Sequence, residues 1–305
     1  MWFKNLRIYR LNNSVQHTPE ELNEALAKFE FKPCGNLDPV QYGWTSPLGR
    51  DGSEYVHAAN GYIMICAKRQ EKVLPSSTVK EALDEKAAEI AGREARFVGR
   101  AERISLKEEI VFSLMPRALE KSSYDFAYID TKNQLLVVNT SSANRAEELL
   151  SALREALGTL KAIPLTPLNA PRDVLTGWLT GAEIPDNIVV GEECELSSLD
   201  EGRSVKFKHQ DLWIEEVGRH IASGLQVAKL VVTWKDSIEC IIDDQLSFKR
   251  IKYGSEITAR ADDHNNVSAA DQFDVEFSIM TLELSAFISA MSDAFGGVET
   301  EALGL

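Results

Sequence analysis

A chain of 305 residues, 44% hydrophobic and 26% charged, is long enough for two or three domains and has the make-up of an ordinary water-soluble fold. Its 33 Lys+Arg stand against 47 Asp+Glu, a formal charge of −14, so a uniformly basic coat for nucleic acid is excluded. No continuous apolar run approaches the roughly 18–20 residues that cross a bilayer.

The first 13 residues, MWFKNLRIYRLNN, lack the apolar core of a secretory signal, and a cytoplasmic location is expected. WFKNLRIYRL (2–11) alternates like a strand. Thr18-Pro19-Glu20-Glu21 is a helix start, with Thr18 as cap, Pro19 at the first helical position and Glu21 where a capping-box carboxylate belongs. That helix puts Leu22, Leu26 and Phe29 on one side and stops before Pro33 and Gly35. GYIMICAKR (61–69) is a strand. From about Ser76 to Leu119 the pattern is helical, in two or more segments, because Gly92, Gly99 and Pro116 interrupt it.

FAYID (126–130) and LLVVNT (135–140) frame a hairpin turn at Thr131–Gln134, and a helix follows with Ser141 or Ser142 as cap and Gly158 past its end. AIPLTPLNAPRD (162–173) is proline-rich and coincides with a shift in charge, which marks a domain boundary. Residues 1–160 carry 21 Lys+Arg and 22 Asp+Glu, whereas 161–305 carry 12 and 25. Beyond the boundary come a helix through Trp178 and another from about Asp211 to Ser223. A three-stranded meander follows at 228–234, 238–242 and 246–253, turning at Lys235-Asp236 and Asp243-Asp244, and a closing helix spans about Leu282–Phe295. The expected class is α+β: an elongated, multi-part subunit with antiparallel sheets and a helical insertion. Its parts are a central region 1–75 continued by 123–165, a helical tip 76–122, and an acidic C-terminal domain 166–305.

Local clusters of cations decide which polyanion can approach an acidic protein. Arg93, Arg96, Arg100, Arg103 and Lys107 fall within an arc of roughly 80° on one helix, beside an apolar seam of Leu83, Ile90, Phe97, Ile104 and Val111. Only Arg93 finds an i−4 carboxylate, Glu89, and the like-charge pairs Arg96–Arg100 and Arg103–Lys107 each cost about 0.2–0.5 kcal/mol. Either an anionic partner or acidic surface elsewhere in the protein satisfies such a stripe. Two further clusters hold half the cations of the acidic half. In RSVKFKHQD, Arg203 starts a strand on which Lys206 and Lys208 share one face. In FKRIKYG, Lys249, Arg250 and Lys252 crowd the end of the meander. Each alone reads as a charged edge strand; together they point to a polyanion.

Catalytic chemistry is thinly represented. No phosphate loop, H-E-x-x-H or G-x-S-x-G motif occurs, and His17, His57, His209, His220 and His264 are scattered. Glu30-Phe31-Lys32 resembles a nuclease E-x-K without a clear acidic partner, and Asp243-Asp244 is explained by a tight turn as well as by Mg²⁺. The four cysteines Cys34, Cys66, Cys194 and Cys240 lie far apart, as free thiols of a reducing compartment do. No metal or cofactor is expected.

Several blocks resemble the bacterial recombination-associated RdgC family. They are WFKNLRIYRL, FKPCG with Gly43-Trp44, ANGYIMICAKRQEKVLPSS, LKEEIVFSLMPRAL, YIDTKNQLLVVNTSSANRAEELLSALREALGTL, KHQDL, FKRIKYG and EFSIMTLELSAF, in order along the chain. The resemblance implies a non-enzymatic, nucleoid-associated protein of the cytoplasm that forms a ring-shaped homodimer with a basic hole. It also implies binding to double- and single-stranded DNA with little sequence preference, and restraint of RecA by competition for DNA. Lys208, His209 and Gln210 match the family's K-x-Q segment expected near the hole. Pro116-Arg117-Ala118-Leu119 matches a loop in which a family member can carry an aromatic where this chain has Leu119, leaving Arg117 and an apolar contact. A two-subunit ring needs two self-complementary contacts per subunit, for which the apolar seam and the terminal sheet are the candidates. An acidic interaction module without DNA binding and a Mg²⁺-dependent nuclease are the rival classes.

Overall fold

Apolar–polar alternation in a dozen short segments builds two antiparallel sheets, and one long apolar helix fills the space between them. The computed structural model describes residues 1–11, 17–199, 202–262 and 268–299. The first sheet contains β1 (Arg7–Leu11), β2 (Val40–Thr45), β3 (Val56–Ala59), β4 (Tyr62–Val73), β5 (Leu119–Asp130), β6 (Leu135–Val138) and β7 (Ala162–Pro164). Their order is β2-β4-β5-β6-β1-β7, with β3 beside β2 along the same edge of β4. The second sheet contains β8 (Ile188–Ser197), β9 (Ser204–Phe207), β10 (Gln226–Trp234), β11 (Ile238–Asp243) and β12 (Phe248–Tyr253), in the order β12-β11-β10-β8-β9. The expected meander is thus three strands of five, extended by β8 and β9.

Local signals set the helices α1 (Pro19–Ala27) and α4 (Ala143–Leu157). Thr18 Oγ1 accepts from the Glu21 amide at 3.3 Å while the Glu21 carboxylate accepts from the Thr18 amide at 3.0 Å, the reciprocal box that satisfies two orphan donors. Ser142 caps α4 and Gly158, with φ +77°, ends it. Both helices pack Leu22, Leu26, Leu149, Leu150 and Leu153 onto one face of the first sheet, against Ile63, Ile65, Ile129 and Leu136.

The other face, with Tyr62, Met64, Tyr128 and Val137, shares a core with the inward face of the second sheet and with α8 (Ala269–Ala294). Helix α8 begins at Ala269, well before the Leu282 expected, because Ser268 caps it through the Asp271 amide. By length and composition it could cross a membrane, contrary to the expectation that no segment could. Its Phe277, Met280, Leu284, Phe287, Ile288 and Met291 are instead buried in the shared core. Trp178 of α5 (Pro171–Leu179) closes that core against Phe295. The core does not stop at the proline-rich stretch: β7 pairs with β1, and the amide of Leu165 donates to the carbonyl of Ile8.

Strands β4 and β5 pair from Tyr62↔Asp130 to Val73↔Leu119, and a helical hairpin of α2 (Ser76–Glu94) and α3 (Arg100–Leu114) stands on the end of that ribbon. Here the expected continuous stripe is corrected. Helix α2 ends where Ala95 adopts φ +52°, and Gly99 opens α3. The turn lets Val98 and Leu106 fold onto Ala87, Ile90 and Leu83. Burying that small core outweighs the helix preference of the connecting residues. The seam divides accordingly: Leu83 and Ile90 face inward, whereas Phe97 and Ile104 are 83% and 54% exposed. Gly92 lies inside α2 and interrupts nothing.

Candidate nucleic-acid interface

One face of the second sheet is covered by the core; the other is open and carries charge. Along β10, Leu230, Val232 and Trp234 point inward, so Lys229, Val231 and Thr233 point outward. Strand β12 departs from simple alternation. Its register with β11 shifts between Glu239↔Lys252 and Ile241↔Lys249, so Arg250 and Ile251 oppose the single residue Cys240. Arg250 takes φ +51° at this bulge. Phe248 and Ile251 turn into the core, and Lys249, Arg250 and Lys252 all stand on the open side. A bulge that re-aims side chains in this way is a designed feature of a sheet edge.

The cations of β9, β10 and β12 converge on a groove of about 400 Å³ lined by Lys206, Lys208, Lys229, Lys249 and Arg250, together with Glu193 and Glu195. A second groove of about 380 Å³ adjoins it, sharing Arg250 and Glu193 and adding His209, Lys252 and Glu239. Its floor stays flat because β8 has Gly191 there: a Cβ would lie 2.8 Å from Val231 Cγ1. The strand carrying Lys206 ends at Phe207, and His209 has φ +55°. Lys208 therefore does not share a strand face with Lys206 as expected; it projects from the loop that follows, at the rim of the same groove. The Gln210 amide donates to the Glu192 carbonyl at 3.4 Å, tying that loop to β8.

Cross-strand carboxylates occupy most of these cations. The Lys229 ammonium donates to Glu195 at 2.8 Å, and Lys206 lies 3.4 Å from the same oxygen. Arg250 reaches Glu193 at 2.8 Å and Lys252 reaches Glu239 at 2.6 Å. The hydrogen bond from Arg250 holds the Glu193 carboxyl below the usual carboxylate range, helped by the charges of Lys208 and His209; Lys229 does the same for Glu195. Lys208 has no ion-pair partner among the described residues.

Asp243 is no metal ligand in the making. Its buried carboxylate accepts from Lys249 at 2.7 Å, from the Ser247 hydroxyl at 2.6 Å and from the amides of Gln245 and Ser247. It is the last residue of β11, with the turn following it, and Asp244 pairs with Arg172 at 2.6 Å. Burial works against ionisation of Asp243, but Lys249 and Ser247 outweigh it and the carboxyl titrates below its ordinary range. A depressed folded-state pKa contributes stability above the unfolded value of about 3.9 and loses it as pH falls through the lower folded value. Asp243→Asn is therefore expected to cost about 1.5–3 kcal/mol at pH 7. In urea titrations the gap to the wild-type protein should close as pH drops below about 4; a pH-independent gap would assign the loss to packing.

The other expected site residues lie elsewhere. Arg93 lies in the last turn of α2 and pairs with Glu94 at 2.9 Å, while Glu89 is taken by Lys86. Arg96 sits in the connection, not on a helix, and grips Glu102 through two bonds of 2.6 and 2.7 Å, with Glu94 at 2.7 Å. Arg103 pairs with Asp84 across the hairpin. Arg100 and Lys107 are exposed on α3 without an ion pair among the described residues. Arg117 and the 81% exposed Leu119 mark the junction of hairpin and ribbon, and Arg203 precedes β9. Sequence reasoning missed Lys229, although its place on the polar phase of an apolar strand was a usable signal. Among the described residues no three His, Cys, Asp or Glu side chains are grouped to hold a metal ion, and the four cysteines are free thiols.

Fold and face together define an α+β protein with an open antiparallel sheet whose cations are gathered into two adjoining charged grooves. The family model described as "Putative exonuclease, RdgC" matches residues 1–298. The chain is 39% identical over 300 residues to the recombination-associated protein RdgC of Aeromonas hydrophila, covering 98% of this chain and 99% of that protein. It is 38% identical over 298 residues to the recombination-associated protein RdgC of Yersinia enterocolitica, covering 97% and 98%. The chain belongs to the RdgC family of recombination-associated proteins.

Proposed function

We propose that this protein binds DNA, duplex and single-stranded, without sequence preference, using the open face of the second sheet. The observation that carries the reading is the convergence of Lys206, Lys208, Lys229, Lys249, Arg250 and Lys252 on adjoining grooves of an otherwise acidic half-chain. Lysines and arginines without a base-reading element neutralise phosphates wherever they meet them. The protein acts as a homodimer closed into a ring, so each cation of one subunit is repeated by the other and the acidic exterior turns DNA away elsewhere. One subunit contact is made by the hairpin, where Ile104, Val111, Phe112 and Met115 line an exposed apolar groove of about 490 Å³ with Leu37. In the cytoplasm, on the nucleoid, it restrains RecA by competing for DNA, with no membrane involved and no bond in the DNA broken.

Binding to several unrelated duplexes of equal length, titrated with salt, tests this. Log K is expected to fall linearly with log[salt], by about 0.9 per phosphate neutralised, and to agree among duplexes within a few-fold. Closed circular duplex should be retained where linear duplex slides off, and added Mg²⁺ should leave labelled DNA intact. A strong preference for one sequence or a slope near zero would overturn the proposal, and Mg²⁺-dependent shortening would favour the nuclease named in the family description.

A further inference from the structure

The open sheet face sets three carboxylates among its six cations, and they are placed on the cations themselves. Glu195 lies between Lys229 and Lys206, at 2.8 and 3.4 Å. Glu193 holds Arg250 and Glu239 holds Lys252, at 2.8 and 2.6 Å. We infer that Glu193, Glu195 and Glu239 are resident competitors for phosphate, which make the face selective for anions that present several phosphates in a row. The inference rests on reading this face as the DNA-binding surface.

Carboxylate and phosphate use the same donor geometry on lysine and arginine. A single phosphate entering the groove would exchange one anion for another at each cation and gain little. A chain of phosphates differs, because once its first phosphate is held the next ones compete at high effective concentration. Lys208, at the rim and without an ion-pair partner among the described residues, is the place for that first contact. Glu193 and Glu195 then stand on one strand two residues apart, about 6.6–6.8 Å, and are displaced in sequence. The displacement is feasible because the pairs open onto solvent through Lys206 and Arg250, 60% and 58% exposed, and ion pairs so placed are individually weak. Each freed carboxylate gathers a cation from solution, offsetting counterions released from the DNA. The salt dependence is therefore shallower than the number of cations implies.

The test uses Glu193→Gln/Glu195→Gln, isosteric and still able to accept a hydrogen bond from lysine, with Glu239→Gln as a second variant at the sheet edge. With like-charge opposition removed, the double variant is expected to bind duplex about tenfold tighter at low salt. Its log K against log[salt] should steepen by up to about one unit per carboxylate removed. Millimolar inorganic phosphate should displace duplex from the variant but not from the wild-type protein, whereas tripolyphosphate should compete with both. Glu239→Gln should move in the same direction by a smaller factor. Wild-type binding with equal or weaker binding by variants that unfold at the wild-type temperature would overturn the inference alone. Absence of duplex binding by the wild-type protein would overturn the reading of the face, and the inference with it.

Discussion

Phe287→Ala is expected to lower the stability of this protein by about 3–5 kcal/mol, the range for emptying a fully buried aromatic site. Phe287 has no exposed surface, and its ring meets Phe248 at 4.9 Å and Trp234 at 5.7 Å, both edge-on. Those neighbours belong to β12 and to the end of β10, so the cavity would open beneath the outer strand of the second sheet. The surroundings cannot collapse easily, because α8 is held on its other side by Phe277 against Tyr128. Leu284→Met, equally buried but nearly volume-conserving, should cost less than about 1.5 kcal/mol. Urea unfolding of the two variants provides the measurement. A loss below about 1 kcal/mol for Phe287→Ala would mean that α8 is not wedged between the sheets. The loss should reach function as well: Lys249 and Arg250 follow Phe248 directly in the chain, so loosening that strand blurs their placement.

Changing Lys206, Lys208, Arg250 and Lys252 together to glutamine should weaken duplex binding at low salt by about a hundredfold or more, and flatten the salt dependence by about 0.9 for each phosphate left without its cation. These four are exposed, so their removal leaves the core untouched. Lys249 is spared because it compensates buried Asp243 at 2.7 Å, and its loss would strand a charge. Filter binding and thermal unfolding on one preparation separate affinity from stability. Unchanged affinity in a protein that melts normally would remove the sheet face from the binding surface. The companion triple change Arg96→Gln, Arg100→Gln and Arg103→Gln should have the smaller effect, since none of the three lines the charged grooves of the second sheet.

What could be read in the sequence was local. The Thr18–Glu21 box, the Ser142 cap and Gly158 stop, and the Lys235-Asp236 turn, where both residues have positive φ, are decided within a few residues, and their sequence signatures report them directly. The break at Ala95 is not local. Gly99 announces an interruption, but alanine is the best helix former, and nothing nearby places the turn at Ala95 or buries Val98 on Ile90. Strand β8 hides behind its consecutive Glu192 and Glu193 and a glycine chosen for contact with Val231. The clusters of β9 and β12 gathered into one site because both belong to the same sheet, but their partners Glu193, Glu195 and Glu239 depend on register. Register is a property of strand pairing, and no spacing within one segment discloses it.

The placement of α8 bears on how the chain reaches this state. Its apolar face covers strands of both sheets, drawn from almost the whole length of the chain before it, and the bridge between Leu6 and Phe248 joins the two sheets directly. Neither sheet can finish its buried side until residues beyond 277 have left the ribosome. Completion of the core is therefore a late, long-range event in a topology of high contact order. Meanwhile the inner faces of both sheets, rich in Val, Ile, Phe and Trp, are open to other nascent chains. The capped helices and the α2–α3 hairpin, whose contacts are close in sequence, can form early, but α1 and α4 cover the opposite face of the first sheet, so the inner faces wait for α8.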